Sequence, residues 1–136
     1  VACLDTSCLL DLNGKGGKRA AAAAEKMVRR LLAQGETLTT TLFSVAELWV
    51  GVEHSVDRAY EADAVERLLS QLIILDFTEP ATRIFARVKA ELYRCGNPVP
   101  DMDVLISSVA LAESQCVVTR NVRHFEKIRD LKVITY

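Results

Sequence analysis

Five short apolar or β-branched runs punctuate this chain, at residues 1–4, 37–42, 72–75, 116–119 and 133–135, and no tight two-residue turn joins any of them. Each gap is filled instead by sequence of helical periodicity. Strands joined through helices cannot pair as hairpins with their sequence neighbours. They lie mainly parallel, with the connecting helices covering the sheet. The expected fold is therefore an α/β domain, a five-stranded, mainly parallel sheet with helices on both faces.

The helical stretches carry their own punctuation. Residues 19–34 place Met27, Val28, Leu31 and Leu32 on one stripe, and Gly35 ends them. Ser44 is placed to cap the next helix, with Glu47 three residues on as its capping-box partner and Val45, Leu48, Trp49 and Val52 as an apolar stripe. Residues 57–71 form another helix, and residues 79–95 a long one ended by Gly96. Pro98 and Pro100 force an extended lead into a helix over 101–113, and 121–126 is a short helical turn. Trp49 reads as core or interface rather than as a stacking platform for bases.

A chain of 136 residues that is half apolar and about a quarter charged has room for a core without staples, so one domain, 1–136, is expected. No apolar run reaches bilayer length and no signal pattern opens the sequence, so no membrane partner is expected. Cys3, Cys8, Cys95 and Cys116 show neither a C-x-x-C pair nor zinc spacing, which fits a reducing, cytoplasmic setting. The net charge of −1 excludes a partner held by bulk electrostatics; a nucleic acid would need a local basic patch.

Ligands in such sheets bind beyond the carboxyl ends of the central strands. Asp5 directly follows the first run, in the stretch "VACLDTSCLL". It is placed either to cap the helix behind it or to bind a ligand, and one carboxylate can do both. Glu47 lies early in the helix after the second run, Asp101 and Asp103 open a later helix, and Thr119, Arg120 and Asn121 close the fourth run. Asp101, just after Pro100, is placed as an N-cap. Asp103 lies over an apolar face marked by Ile106 and Ala110, where a carboxylate needs a partner to offset desolvation. Carboxylates crowded together repel one another unless a cation lies among them, and oxygen ligands without His or Cys suit Mg²⁺ or Mn²⁺. Such a crevice points to metal-assisted phosphodiester hydrolysis.

Other polar residues have plainer uses. Asn121 is placed to cap the short helix after it, and Arg120 and Arg123 are either surface charges or phosphate contacts. Lys15, Lys18 and Arg19 are solvated loop cations that could steer a polyanion, and His54 and His124 have no ligand-like neighbour in sequence. The loop at residues 14–18 has a phosphate-loop composition but follows a helix and has Arg19 where Ser or Thr is required, so it is rejected. A receiver-like phospho-acceptor domain built on Asp76 is a further reading. Its weakness is that a single acid follows Leu4, and Arg120 and Asn121 stand where a lysine is needed.

Four segments taken in order, "LDTSCLLDL" (4–12), "SVAELWVGV" (44–52), "GNPVPDMDVLISSVAL" (96–111) and "VVTRNVRHFEKI" (117–128), resemble the PIN-domain family. Within it they resemble the VapC-like toxins of toxin–antitoxin pairs. The resemblance implies a ribonuclease dependent on Mg²⁺ or Mn²⁺ that inhibits translation. It implies a VapB-like antitoxin as partner, with toxin dimerisation and a toxin–antitoxin hetero-oligomer. By position it assigns Asp5, Glu47 and Asp103 as catalytic. Asp5 and Asp103 would be the metal ligands, with Glu47 and Asp101 as auxiliary candidates. Thr6, Thr119 and Asn121 would support them, and Arg120, Arg123, Lys15 and Lys18 would be candidates for RNA contact. Asn121 stands where the family often has a fourth acid, and Ser107 and Ser108 stand where small Ala residues are usual. The competing implication is a PIN-like module that binds RNA or protein with weak or no catalysis.

Overall fold

The computed structural model describes residues Val1–Tyr136. Five strands alternate with helices: β1 (Ala2–Leu4), α1 (Thr6–Leu12), α2 (Lys18–Ala33), β2 (Leu38–Thr41), α3 (Leu42–Glu53), α4 (Arg58–Leu69), β3 (Ile73–Leu75), α5 (Glu79–Cys95), α6 (Asp101–Ala112), β4 (Cys116–Val118), α7 (Val122–Phe125) and β5 (Val133–Ile134). All pairings are parallel, in the order β3-β2-β1-β4-β5. The chain builds outward from β1 on one side, then crosses over to build β4 and β5 on the other. The order reverses at β1 and β4, which opens a crevice beyond their carboxyl ends.

The pleat of β1 shows why both faces are covered. Ala2 and Leu4 point into a core with Met27 and Leu31 of α2, Leu48 and Val52 of α3 and Val65 of α4. Cys3 points the other way, to Ile106 and Ala110 of α6 and to Phe125 of α7. Residues of β1 are wholly buried, as a central parallel strand requires. Burial pushes the thiols of Cys3 and Cys8 up to about 12, so both are small apolar fillers and neither is a nucleophile. On β2 the buried Thr40 Oγ1 donates to the carbonyl of Leu4 at 2.7 Å, and Thr39 Oγ1 donates to Gln115 Oε1 at 2.5 Å. A threonine-rich strand can lie inside because its hydroxyls find acceptors there. No helix is long and apolar enough to cross a membrane.

Three expected caps are corrected. Ser44 does not cap α3, because Thr41 at the end of β2 does: its backbone is extended and its Oγ1 accepts from the Ser44 N–H at 3.1 Å. Leu42 thus belongs to the helix, and Glu47 sits in the second turn, free of any capping-box duty. Asp101 is no N-cap either. Pro100 holds that position with extended backbone, and the Asp101 carboxylate pairs with Lys89 of α5 at 2.6 Å. Asn121 occupies the N-cap position of α7 without a side-chain cap; its backbone N–H donates to Thr119 Oγ1 at 2.9 Å.

Candidate active site

Asp5 directly follows the central strand, and the residue is 2% exposed. Its Oδ1 accepts from the Cys8 N–H at 2.9 Å and Ser7 Oγ at 2.8 Å, and its Oδ2 from Thr119 Oγ1 at 2.5 Å. The network closes on itself. Ser7 Oγ also accepts from the Arg120 N–H at 3.1 Å and lies 3.2 Å from Thr119 Oγ1. The helix-cap role is therefore real, and the same carboxylate is tied to the end of β4. Burial pushes Asp5 from 3.8 up to about 6; the bonds from Thr119, Cys8 and Ser7 oppose this, and the negative charge of Asp103 adds to it.

The start of α1 faces α3. Thr6 Oγ1 donates to Glu47 Oε1 at 2.6 Å and lies 3.1 Å from Ser44 Oγ. Asp103, in the first turn of α6, accepts from the ring of His124 of α7, with Nδ1 and Oδ2 2.7 Å apart. Its side chain is 19% exposed, so it borders the crevice rather than lying beneath it. No three His, Cys, Asp or Glu side chains are gathered tightly enough to hold a metal ion by themselves.

The structure thus brings Asp5, Thr6, Glu47, Asp103 and Thr119 to the sheet's switch point. Asp101 is exposed and taken by Lys89. Lys15 pairs with Glu61 of α4 at 2.7 Å, and Lys18 opens α2 in solvent. Asp76 is exposed after β3, an edge strand far from the switch point, which overturns the phospho-acceptor reading.

Two connections are absent from any sequence pattern. His124, expected to lack a ligand-like neighbour, is bonded to Asp103. Asp11 on α1 is fully buried: its Oδ2 accepts from Arg120 Nε at 2.8 Å and from the Tyr136 hydroxyl at 2.7 Å, while its Oδ1 has no partner. Burial and the bond to Asp11 push the Tyr136 phenol up. Arg120, expected as either a surface charge or a phosphate contact, is held at its Nε by buried Asp11. The one signal for Asp11 was a carboxylate placed among Leu9, Leu10 and Leu12.

Gly16 closes over Asp11. A Cβ there would overlap Asp11 Oδ1 and approach Ala20 Cβ to 3.2 Å. Gly16→Ala is expected to cost roughly 1–2 kcal/mol by overpacking, read from a denaturant midpoint; wild-type stability would contradict the close approach.

Comparison with known proteins gives a consistent assignment. Residues 2–131 match the family model described as the PIN domain. Ribonuclease VapC2 of Rickettsia felis is 33% identical over 101 residues, 74% of this chain and 75% of that protein. The tRNA(fMet)-specific endonuclease VapC of Salmonella typhimurium is 33% identical over 90 residues, 66% of this chain and 68% of that protein. Among solved structures, VapBC2 from Rickettsia felis bound to a DNA fragment from their promoter superposes with a TM-score of 0.87 at 27% identity, covering 99% of this chain and 98% of that one.

Proposed function

The chain belongs to the PIN-domain family, among the VapC-type ribonucleases, and from this premise we propose that its crevice hydrolyses RNA phosphodiester bonds with the help of Mg²⁺ or Mn²⁺. The observation that carries the reading is geometric: Asp5 is buried at the carboxyl end of β1, Glu47 is held by Thr6 beside it, and Asp103 opens α6 at the border of the same crevice. Two carboxylates forced together without a counter-charge are unfavourable, and a hard cation between them relieves the repulsion. The donor set fits: Mg²⁺ is commonly held by one or two carboxylates and keeps several waters, so it needs no three-ligand cage. Asp5 and Asp103 would hold it, and when bound it supplies a lowered water pKa and charge stabilisation at the phosphoryl oxygen.

The remaining work belongs to the chain's own groups. Thr119, Ser7 and the Cys8 N–H fix the Asp5 carboxylate in one orientation, and His124 does the same for Asp103. Glu47, oriented by Thr6, takes the proton of the attacking water. Attack by water leaves a 5′-phosphate and needs no 2′-hydroxyl. RNA treated with the purified chain and Mg²⁺ should carry 5′-phosphate ends, and chelation should stop the cutting. RNA that stays intact in Mg²⁺ and Mn²⁺ while still binding would favour a binding-only module. Thr6→Val is expected to lower kcat about ten-fold with KM little changed, because it frees Glu47 without removing it.

As a toxin, the protein acts on cytoplasmic RNA to inhibit translation and is neutralised by a VapB-like antitoxin. Val50 on α3, Val56 between the helices and Tyr60 on α4 are more than half exposed, which supports a homodimer within a toxin–antitoxin hetero-oligomer. Growth arrest on expression of the chain should be relieved by co-expressing the product of a small reading frame immediately upstream.

A further inference from the structure

Beside the acid crevice runs a groove of about 510 Å³, lined by Pro98, Arg120, Asn121, Arg123, His124 and Lys127, with no carboxylate on its walls. In a chain of net charge −1, three permanent cations on one concave surface are a local excess. The groove adjoins the site, because His124 lines it while bonding Asp103.

The way Arg120 is held gives the groove a direction. Its Nε is committed to Asp11 Oδ2, at 2.8 Å, while the side chain as a whole is 48% exposed. The Tyr136 hydroxyl, bonded to the same Asp11 oxygen, is its other polar neighbour, and no carboxylate or carbonyl of the chain takes its Nη hydrogens. A guanidinium fastened by one edge presents the other edge as a fixed fork, which matches the oxygens of a phosphate. Asp11 is itself held by the Tyr136 hydroxyl, and its Oδ1 stands where a Cβ at residue 16 would lie. A wholly buried carboxylate with one oxygen unpartnered is costly to maintain. Aiming Arg120 is a use for it that the fold alone does not require.

We propose that the phosphodiesters flanking the cut lie along this groove, held by Arg120, Arg123 and Lys127, and that Asp11 is the positioning residue that aims Arg120. The proposal rests on the ribonuclease reading for its substrate class. Contacts of this kind fix the register of the strand and carry no sequence information. Each phosphate neutralised on a single strand adds about 0.7 to the salt slope of log affinity.

The test measures binding of a fluorescein-labelled, mixed-sequence oligoribonucleotide in EDTA across a salt series, with kcat and KM for its cleavage in Mg²⁺. Arg123→Gln and Lys127→Gln, both at exposed positions, should each flatten the slope by about 0.7 to 1 and raise KM several-fold with kcat kept. Arg120→Lys keeps the charge but not the fork, and should raise KM about ten-fold. Asp11→Asn is the sharpest variant. It removes a negative charge beside the groove, so bulk electrostatics alone predicts tighter binding, whereas loss of aim predicts weaker binding. Unchanged slopes in Arg123→Gln and Lys127→Gln overturn the groove. Tighter binding by a folded Asp11→Asn, or wild-type KM in Arg120→Lys, overturns the positioning role; if Asp11→Asn melts early, Arg120→Lys decides. Failure of the ribonuclease reading looks different, since wild-type protein would then bind RNA with its full salt slope and leave it uncut.

Discussion

Asp5→Asn and Asp103→Asn are each expected to lower metal-dependent RNA cleavage by about 10²–10⁴-fold, to background. The size follows from what the change leaves intact. Asparagine has the shape of aspartate, and its carbonyl oxygen still accepts the Cys8 N–H that Asp5 caps. The fold therefore survives while the negative charge available to a cation is lost. Asp103→Asn likewise keeps a partner for the His124 ring. Asp101→Asn is the matched control. Its carboxylate is exposed and spent on Lys89, so the rate should stay within about two-fold of wild type. Initial rates on labelled RNA, with folding checked by circular dichroism, measure all three. Wild-type cleavage by Asp5→Asn or Asp103→Asn would sink the assignment. Sequencing of RNA ends after brief expression, with Asp5→Asn as the blank, would identify the target.

The second large effect is on stability, and it has the opposite sign. Asp5 is pushed from 3.8 up to about 6, chiefly by burial, so in metal-free protein the folded state binds its proton more tightly than the unfolded state does. Between these values the folded chain holds a proton that the unfolded chain has lost, so stability falls as pH rises. The contribution is fully present below pH 3.8 and lost as pH rises through about 6, leaving a deficit on the order of 3 kcal/mol at neutral pH. Asp5→Asn carries no such charge. In EDTA at pH 7 it should melt higher than wild type, by on the order of 10 °C, and the gap should narrow at pH 5. Mg²⁺ should narrow it from the other side, by stabilising wild type alone. A variant less stable than wild type in EDTA at pH 7 would show that the hydrogen bonds to the carboxylate outweigh its desolvation. The dead enzyme is thus expected to be the sturdier protein, a trade common at active sites.

Much of this site was legible because it depends on local order. An acid directly after a buried run must sit at a strand's end, and the absence of hairpin turns made that strand part of a parallel sheet. Thr6 and Glu47 fell near each other once two adjacent strands were each followed by a helix. Cap positions were harder. Ser44 and Thr41 have equivalent chemistry, and only the bond from the Ser44 N–H to Thr41 Oγ1 decides between them. The partners of Asp11 were invisible for a different reason. Its burial depends on Arg120 and Tyr136, 109 and 125 residues away, and no pattern within a seven-residue helix announces such partners. His124 is similar, since α7 has four residues and its direction is set by the sheet behind it.

The network around Asp5 joins the first residues of the chain to residues 119 and 120. Synthesis proceeds from the N-terminus, while a domain folds as a unit. An emerging chain therefore carries Asp5, Thr6 and Glu47 long before Thr119 arrives to lock the carboxylate, and β4 must insert beside β1 before it can. Until then the first acid is held only by Ser7 and the Cys8 N–H, at the end of a strand lacking one neighbour. In a nuclease arranged in this way, the first acid is fully locked only after residues 119 and 120 have been made, so the order of synthesis delays the finished site.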